Sequence, residues 1–104
     1  MIKHIVTWDF AKDYTQQQND ENAKQVKLQL ENLINIIDGI IHMEVIIQPL
    51  SSSNTDIMLY SIFENEKALS DYQVHPEHKK VGELINKVMQ NRKCFDYEFE
   101  KAKS

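Results

Sequence analysis

What most constrains this chain is the order in which its apolar spacing switches between two-residue alternation and helical recurrence. Ile2, His4, Val6, Trp8 and Phe10 alternate with Lys3, Ile5, Thr7 and Asp9, which predicts a strand over 2–10. Thr15 and Gln18 are spaced as a capping box. Ala23, Val26, Leu30, Leu33, Ile34 and Ile37 then form one helical stripe toward Asp38-Gly39, where glycine suits a left-handed C-cap. Alternation returns in Ile41, Met43, Val45 and Ile47, a strand over 40–48 that Pro49 stops. After the polar loop Ser51–Thr55, a third strand over 56–64 carries Ile57, Leu59 and Phe63 on one face and Met58, Tyr60 and Ile62 on the other. Asn65 is placed to cap a short helix with Ala68, Leu69 and Tyr72, and Pro76 opens another with Val81, Leu84, Ile85, Val88 and Met89. The last strand, over 92–100, alternates Phe95, Tyr97 and Phe99 with Cys94, Asp96 and Glu98.

The order β-α-β-β-α-β predicts an α+β, ferredoxin-like antiparallel sheet with its helices on one face. A chain of 104 residues is expected to form a single domain over 1–100, with 101–104 as a frayed tail. Ile5, Ile46 and one set of third-strand side chains are then left on the face without helices. Soluble monomers rarely expose so large an apolar patch, so a symmetric homodimer is expected, two sheets enclosing a barrel-like core.

The formal charge of −4, with basic doublets only at Lys79-Lys80 and Arg92-Lys93, argues against a nucleic-acid surface. No apolar run has the length of a membrane span, and Met1-Ile2-Lys3-His4 alternates instead of forming a signal-peptide core. A single cysteine, Cys94, permits no internal disulfide, so a cytoplasmic setting is expected, with Cys94 a small strand residue and not a nucleophile.

Chemistry-bearing groups gather in Asp71-Tyr72-Gln73-Val74-His75-Pro76-Glu77-His78. Pro76 disfavours helix at His75 and starts one well itself, so these groups collect at a helix N-terminus, where unpaired N–H groups can meet an anion. The plainer reading is a capped turn with solvated histidines. His75 and His78 flank Glu77, yet zinc needs three or four converging ligands, and neither a metal nor a cofactor is expected.

Lys3-His4-Ile5-Val6, the strand ending Phe63-Glu64, Ala68-Leu69 with Tyr72, His75-Pro76-Glu77-His78 and Phe95-Asp96 together resemble the stress-responsive A/B barrel, or Dabb, family. The resemblance spans nearly the whole chain and implies a dimeric α+β barrel. It implies less about function, since members range from plant stress proteins to a cofactor-free polyketide cyclase. By that comparison Tyr72 and His78 match a catalytic pair, while His4, Val6, Trp8 and Asp96 are expected to contact a small-molecule ligand between sheet and helices. Neutral imidazole can remove a proton α to a carbonyl, and a phenol can donate to the enolate oxygen. Ala23, Val26 and Leu30 stand where the cyclase has bulky aromatics, and Trp8 adds bulk beside His4, so a different pocket shape is expected. The leading expectation is ligand binding. A cyclase or lyase using the Tyr/His pair is the first alternative, and a haem- or quinone-related monooxygenase is a second, by analogy of fold. Against these stands a structural reading: His4 as a satisfied core residue, Tyr72 and His78 as packing.

Overall fold

The computed structural model describes residues 1–100; the tail expected at 101–104 lies outside them. Four strands, β1 (Ile2–Phe10), β2 (Ile40–Ile46), β3 (Ile57–Phe63) and β4 (Met89–Glu98), pair antiparallel in the order β2-β3-β1-β4. Three α-helices accompany them, α1 (Gln16–Asn32), α2 (Glu66–Val74) and α3 (Pro76–Val88). The fold is thus α+β and ferredoxin-like, as the spacing predicts.

Local chemistry accounts for the helix starts. Thr15 Oγ1 accepts from the Gln18 N–H at 3.2 Å, while the Gln18 side chain accepts from the Thr15 N–H at 2.9 Å, completing the capping box. Asn65 caps α2 by accepting from the Ala68 N–H at 2.8 Å. His75 ends α2 and caps α3 at once, its Nδ1 accepting from the Glu77 N–H at 3.1 Å, with Pro76 in the first helical position. One of the two histidines in the polar stretch is thereby taken up by local structure.

Three boundaries differ from the sequence expectation. The α1 helix stops at Asn32 and tightens into a 3₁₀ turn, Leu33–Asn35, which leaves Ile34 partly exposed while Leu33 and Ile37 stay buried. Gly39 therefore does not cap α1. It has a φ of +90° and its backbone lies so close to α2 that a Cβ would meet the Ala68 Cβ at 2.7 Å. A register shift between Ile40 and His42 turns Ile41 outward, so Met43 and Val45 alone of its predicted face are buried. Met89 belongs to β4 and not to the helix: α3 passes into the strand without a loop, and Asn91, at φ 56°, forms the bulge opposite Trp8.

The core fills the space between helices and one sheet face, with Ile2, Val6, Trp8, Leu59 and Phe63 meeting Val26, Leu30, Tyr72, Ile85 and Val88. The opposite face carries Ile5, Ile46, Met58, Tyr60, Ile62, Phe95 and Tyr97, none of them buried, with Phe95 67% exposed. Lys3 extends over this face, its Nζ 5.6 Å from the Tyr60 ring centre, 5.7 Å from Tyr97 and 4.7 Å from Phe99. At the β2 edge, Lys27 Nζ donates to the Val45 carbonyl at 2.6 Å and Glu31 Oε2 accepts from the Val45 N–H at 2.9 Å.

Candidate functional site

Because β1 runs between β3 and β4, its helix-facing side chains lie under all three helices and floor a cavity of about 210 Å³. His4, Val6 and Trp8 from β1 and Leu59 from β3 line it below; Leu30, Tyr72, His78, Gly82, Ile85 and Asn86 line it from the helices, and Arg92 from β4. Trp8 is buried, yet it leaves this space open instead of filling it.

Tyr72 is completely buried, its ring centre 4.8 Å from that of Phe63, 4.2 Å from that of His78 and 6.3 Å from that of His4. Tyr72 Oη, His78 Nδ1 and Trp8 Nε1 are buried without a hydrogen-bond partner. An unpaired buried polar group costs roughly 1–3 kcal/mol, and natural proteins seldom leave several together. Burial pushes the Tyr72 phenol well above its ordinary range, Arg92 opposing, so it stays protonated. Burial is also the main cause lowering the His78 pKa; His4, Arg92 and His75 add to it and the Gln73 carbonyl opposes it. The pair is then a neutral imidazole beside a protonated phenol, one group able to accept a proton and the other able to donate a hydrogen bond.

His4 is buried and its Nδ1 lies 2.5 Å from Asp96 Oδ1. In the tautomer that carries its proton on Nδ1, that nitrogen donates to the carboxylate and Nε2 is left as an acceptor. Ser61, also buried, donates to the His4 carbonyl at 2.7 Å, which fixes β1 against β3 at this point.

Asp96, expected to contact a ligand, has His4 as its side-chain partner. In the β1–β4 ladder Asp96 stands directly opposite His4, so the two side chains share a face and pair. Asp96 lines a separate cleft of about 370 Å³ between α2 and β4, together with Leu69, Ser70, Gln73 and Glu98. Residues that sequence reasoning missed carried a signal. Gly82 and Asn86 follow His78 at four-residue steps on one helix face, and Arg92 shares strand parity with Cys94 and Asp96. The group considered for metal, His75 with Glu77 and His78, does not gather. Among the described residues the His, Cys and carboxylate atoms that do converge belong to His4, Cys94 and Asp96.

An antiparallel β-α-β-β-α-β sheet with a histidine and tyrosine cavity under its helices defines an α+β protein of ferredoxin-like fold. Residues 2–99 match the family described as Stress responsive A/B Barrel Domain, and the chain belongs to this Dabb family. A dimeric, ferredoxin-like protein of unknown function from Bacteroides fragilis is similar at 31% identity and a TM-score of 0.87, covering 94% of this chain and 95% of its own. A Dabb family protein from Mesorhizobium loti superposes with a TM-score of 0.74 at 19% identity, covering 96% and 97% of the two chains. Hydroxynitrile lyase from Passiflora edulis gives 0.76 at 14% identity, covering 99% and 96%. Those two likenesses are of fold alone. No curated protein sequence matches the chain.

Proposed function

We propose that the protein is a homodimer that binds a small carbonyl-bearing molecule in the cavity between sheet and helices. The observation that carries this reading is the set of three unpartnered buried polar atoms, on Trp8, Tyr72 and His78, whose side chains all line that one space. Phenol and indole donors suit a carbonyl oxygen, while Val6, Leu30, Leu59 and Ile85 suit an apolar body. The cavity of about 210 Å³ lies below the roughly 300–1,000 Å³ usual for ligand pockets, so the ligand is small. Apolar side chains on the open sheet face, and relatives described as dimeric, support the homodimer. The single thiol, Cys94, suits a cytoplasmic setting.

A second reading, a cofactor-free lyase or cyclase, is favoured by one observation: neutral His78 and protonated Tyr72 stand with ring centres 4.2 Å apart. His78 would take a proton from the ligand and Tyr72 would donate to the oxygen that gains charge, with His4 held in one tautomer by Asp96.

Trp8 is the single tryptophan and lines the cavity, so its fluorescence reports occupancy. Titration with a panel of small aldehydes and ketones should give a saturable change in the native protein. The same change should be absent in Tyr72→Phe with circular dichroism and dimer mass unaltered. No response to any member of the panel, or an identical response in Tyr72→Phe, would remove the proposal.

A further inference from the structure

We propose that His4, Cys94 and Asp96 form a site for a zinc-type divalent cation, on the β4 side of the His4 ring that also floors the cavity. Cys94 and Asp96 are two apart on β4 and so project from the same face, while His4 pairs directly with Asp96 from the neighbouring strand. Sequence positions 90 residues apart thus deliver three different donor types to one point. His4 Nδ1, Cys94 Sγ and an Asp96 carboxylate oxygen all lie within 4.8 Å of one another.

Two of the three spacings suit a bound metal as well as they suit hydrogen bonds. Bonds of about 2.0–2.3 Å in a tetrahedron place neighbouring ligand atoms about 3.3–3.6 Å apart. Cys94 Sγ lies 3.6 Å from His4 Nδ1 and 3.3 Å from Asp96 Oδ1, already in that range. The His4–Asp96 contact of 2.5 Å is shorter and would have to open by about an ångström, which Asp96, at 38% side-chain exposure, has room to do.

The donor set of one imidazole, one thiolate and one carboxylate suits zinc, which accepts nitrogen, sulfur and oxygen together, better than calcium or magnesium, which take oxygen alone. His4 is anchored by burial and by the Ser61 bond to its backbone, so the rigid ligand is in place before the ion arrives. Asp96 also borders the cleft that holds Ser70 and Gln73, so its carboxylate can be reached from solvent. Proton balance is straightforward. The proton on His4 Nδ1 shifts to Nε2, and the Cys94 proton leaves to solvent as the thiolate binds. Burial and Asp96 hold the free Cys94 thiol protonated, and a bound dication reverses that; the nearby Arg92 guanidinium favours the thiolate and repels the ion.

The test is titration of the reduced, full-length protein with Co²⁺ alone, followed by Zn²⁺. One Co²⁺ per chain should bind, with a thiolate-to-metal charge-transfer band that Zn²⁺ bleaches. Cys94→Ser, a change at an exposed residue, should abolish the band, and Asp96→Asn should weaken binding at least about tenfold. His42→Ala removes a separate surface pair, His42–Glu44, and should change neither the band nor the affinity. Absence of the band, binding unchanged in Cys94→Ser or Asp96→Asn, or loss of binding in His42→Ala would each overturn the proposal.

Discussion

The ring of Tyr72 packs between Phe63 and His78, while its hydroxyl, buried with them, has no hydrogen-bond partner. Tyr72→Phe keeps the ring and removes the orphaned group, so stability in urea should be unchanged or raised by about 1 kcal/mol. A loss of several kcal/mol would assign the hydroxyl to the core instead. His78 offers a pH test. Its folded pKa lies below the ordinary 6.5, so the unfolded chain takes up the proton first as pH falls. Stability should be complete above about pH 6.5 and decline from there down through the folded pKa. His78→Gln should flatten that part of the curve, and an unchanged slope would show that another group is responsible. Residue types and strand parity made His4, Val6, Trp8, Tyr72 and His78 legible in the sequence. The partner of Asp96 was not, because it depends on which strands are neighbours and in what register, and alternation within one strand carries neither.

Elements were legible where capping chemistry is local, as at Thr15, Asn65 and His75-Pro76, and misread where tertiary contact decides. Gly39 illustrates this, since its need for glycine comes from a positive φ and from Ala68 on another helix. Gly39→Ala combines left-handed strain with a close contact and should cost about 2 kcal/mol or more, read as a lower denaturation midpoint with an unchanged m-value. Met89 was equally invisible. Apolar in both periodicities, it is claimed by β4 because α3 continues into the strand without a turn. Glu31 ties α1 to the β2 edge. Although burial alone would raise its pKa, Lys27 and the Val45 N–H outweigh that and hold it below the usual 4.5. Its contribution should be present above about pH 4.5 and be lost as pH falls through the lowered value. Acid unfolding of Glu31→Gln should therefore be less steep than that of the native chain.

At the scale of the molecule, one sheet face is roofed by helices and the other is apolar and open, centred on Ile5, Tyr60 and Phe95. Sedimentation at micromolar concentration should return twice the chain mass. Ile46→Asp should shift the equilibrium toward monomer, because association would bury an unpaired charge. A native protein that sediments as a folded monomer would contradict the proposed assembly. This face was foreseen from alternation alone, although the outward turn of Ile41 was not, since a bulge leaves no mark on apolar periodicity. The place of β1 between β3 and β4 also sets an order on folding. The His4–Asp96 contact joins residues 92 apart, among the most distant in the chain, so the loop it closes is among the entropically most expensive to form early. While β4 is still unmade, a growing chain can assemble β1, β2 and β3 under α1, but His4 then has neither carboxylate nor thiol beside it. The donor atoms of His4, Cys94 and Asp96 thus come together only at the final closure of the sheet, so the proposed cation site would be absent from a partly folded chain.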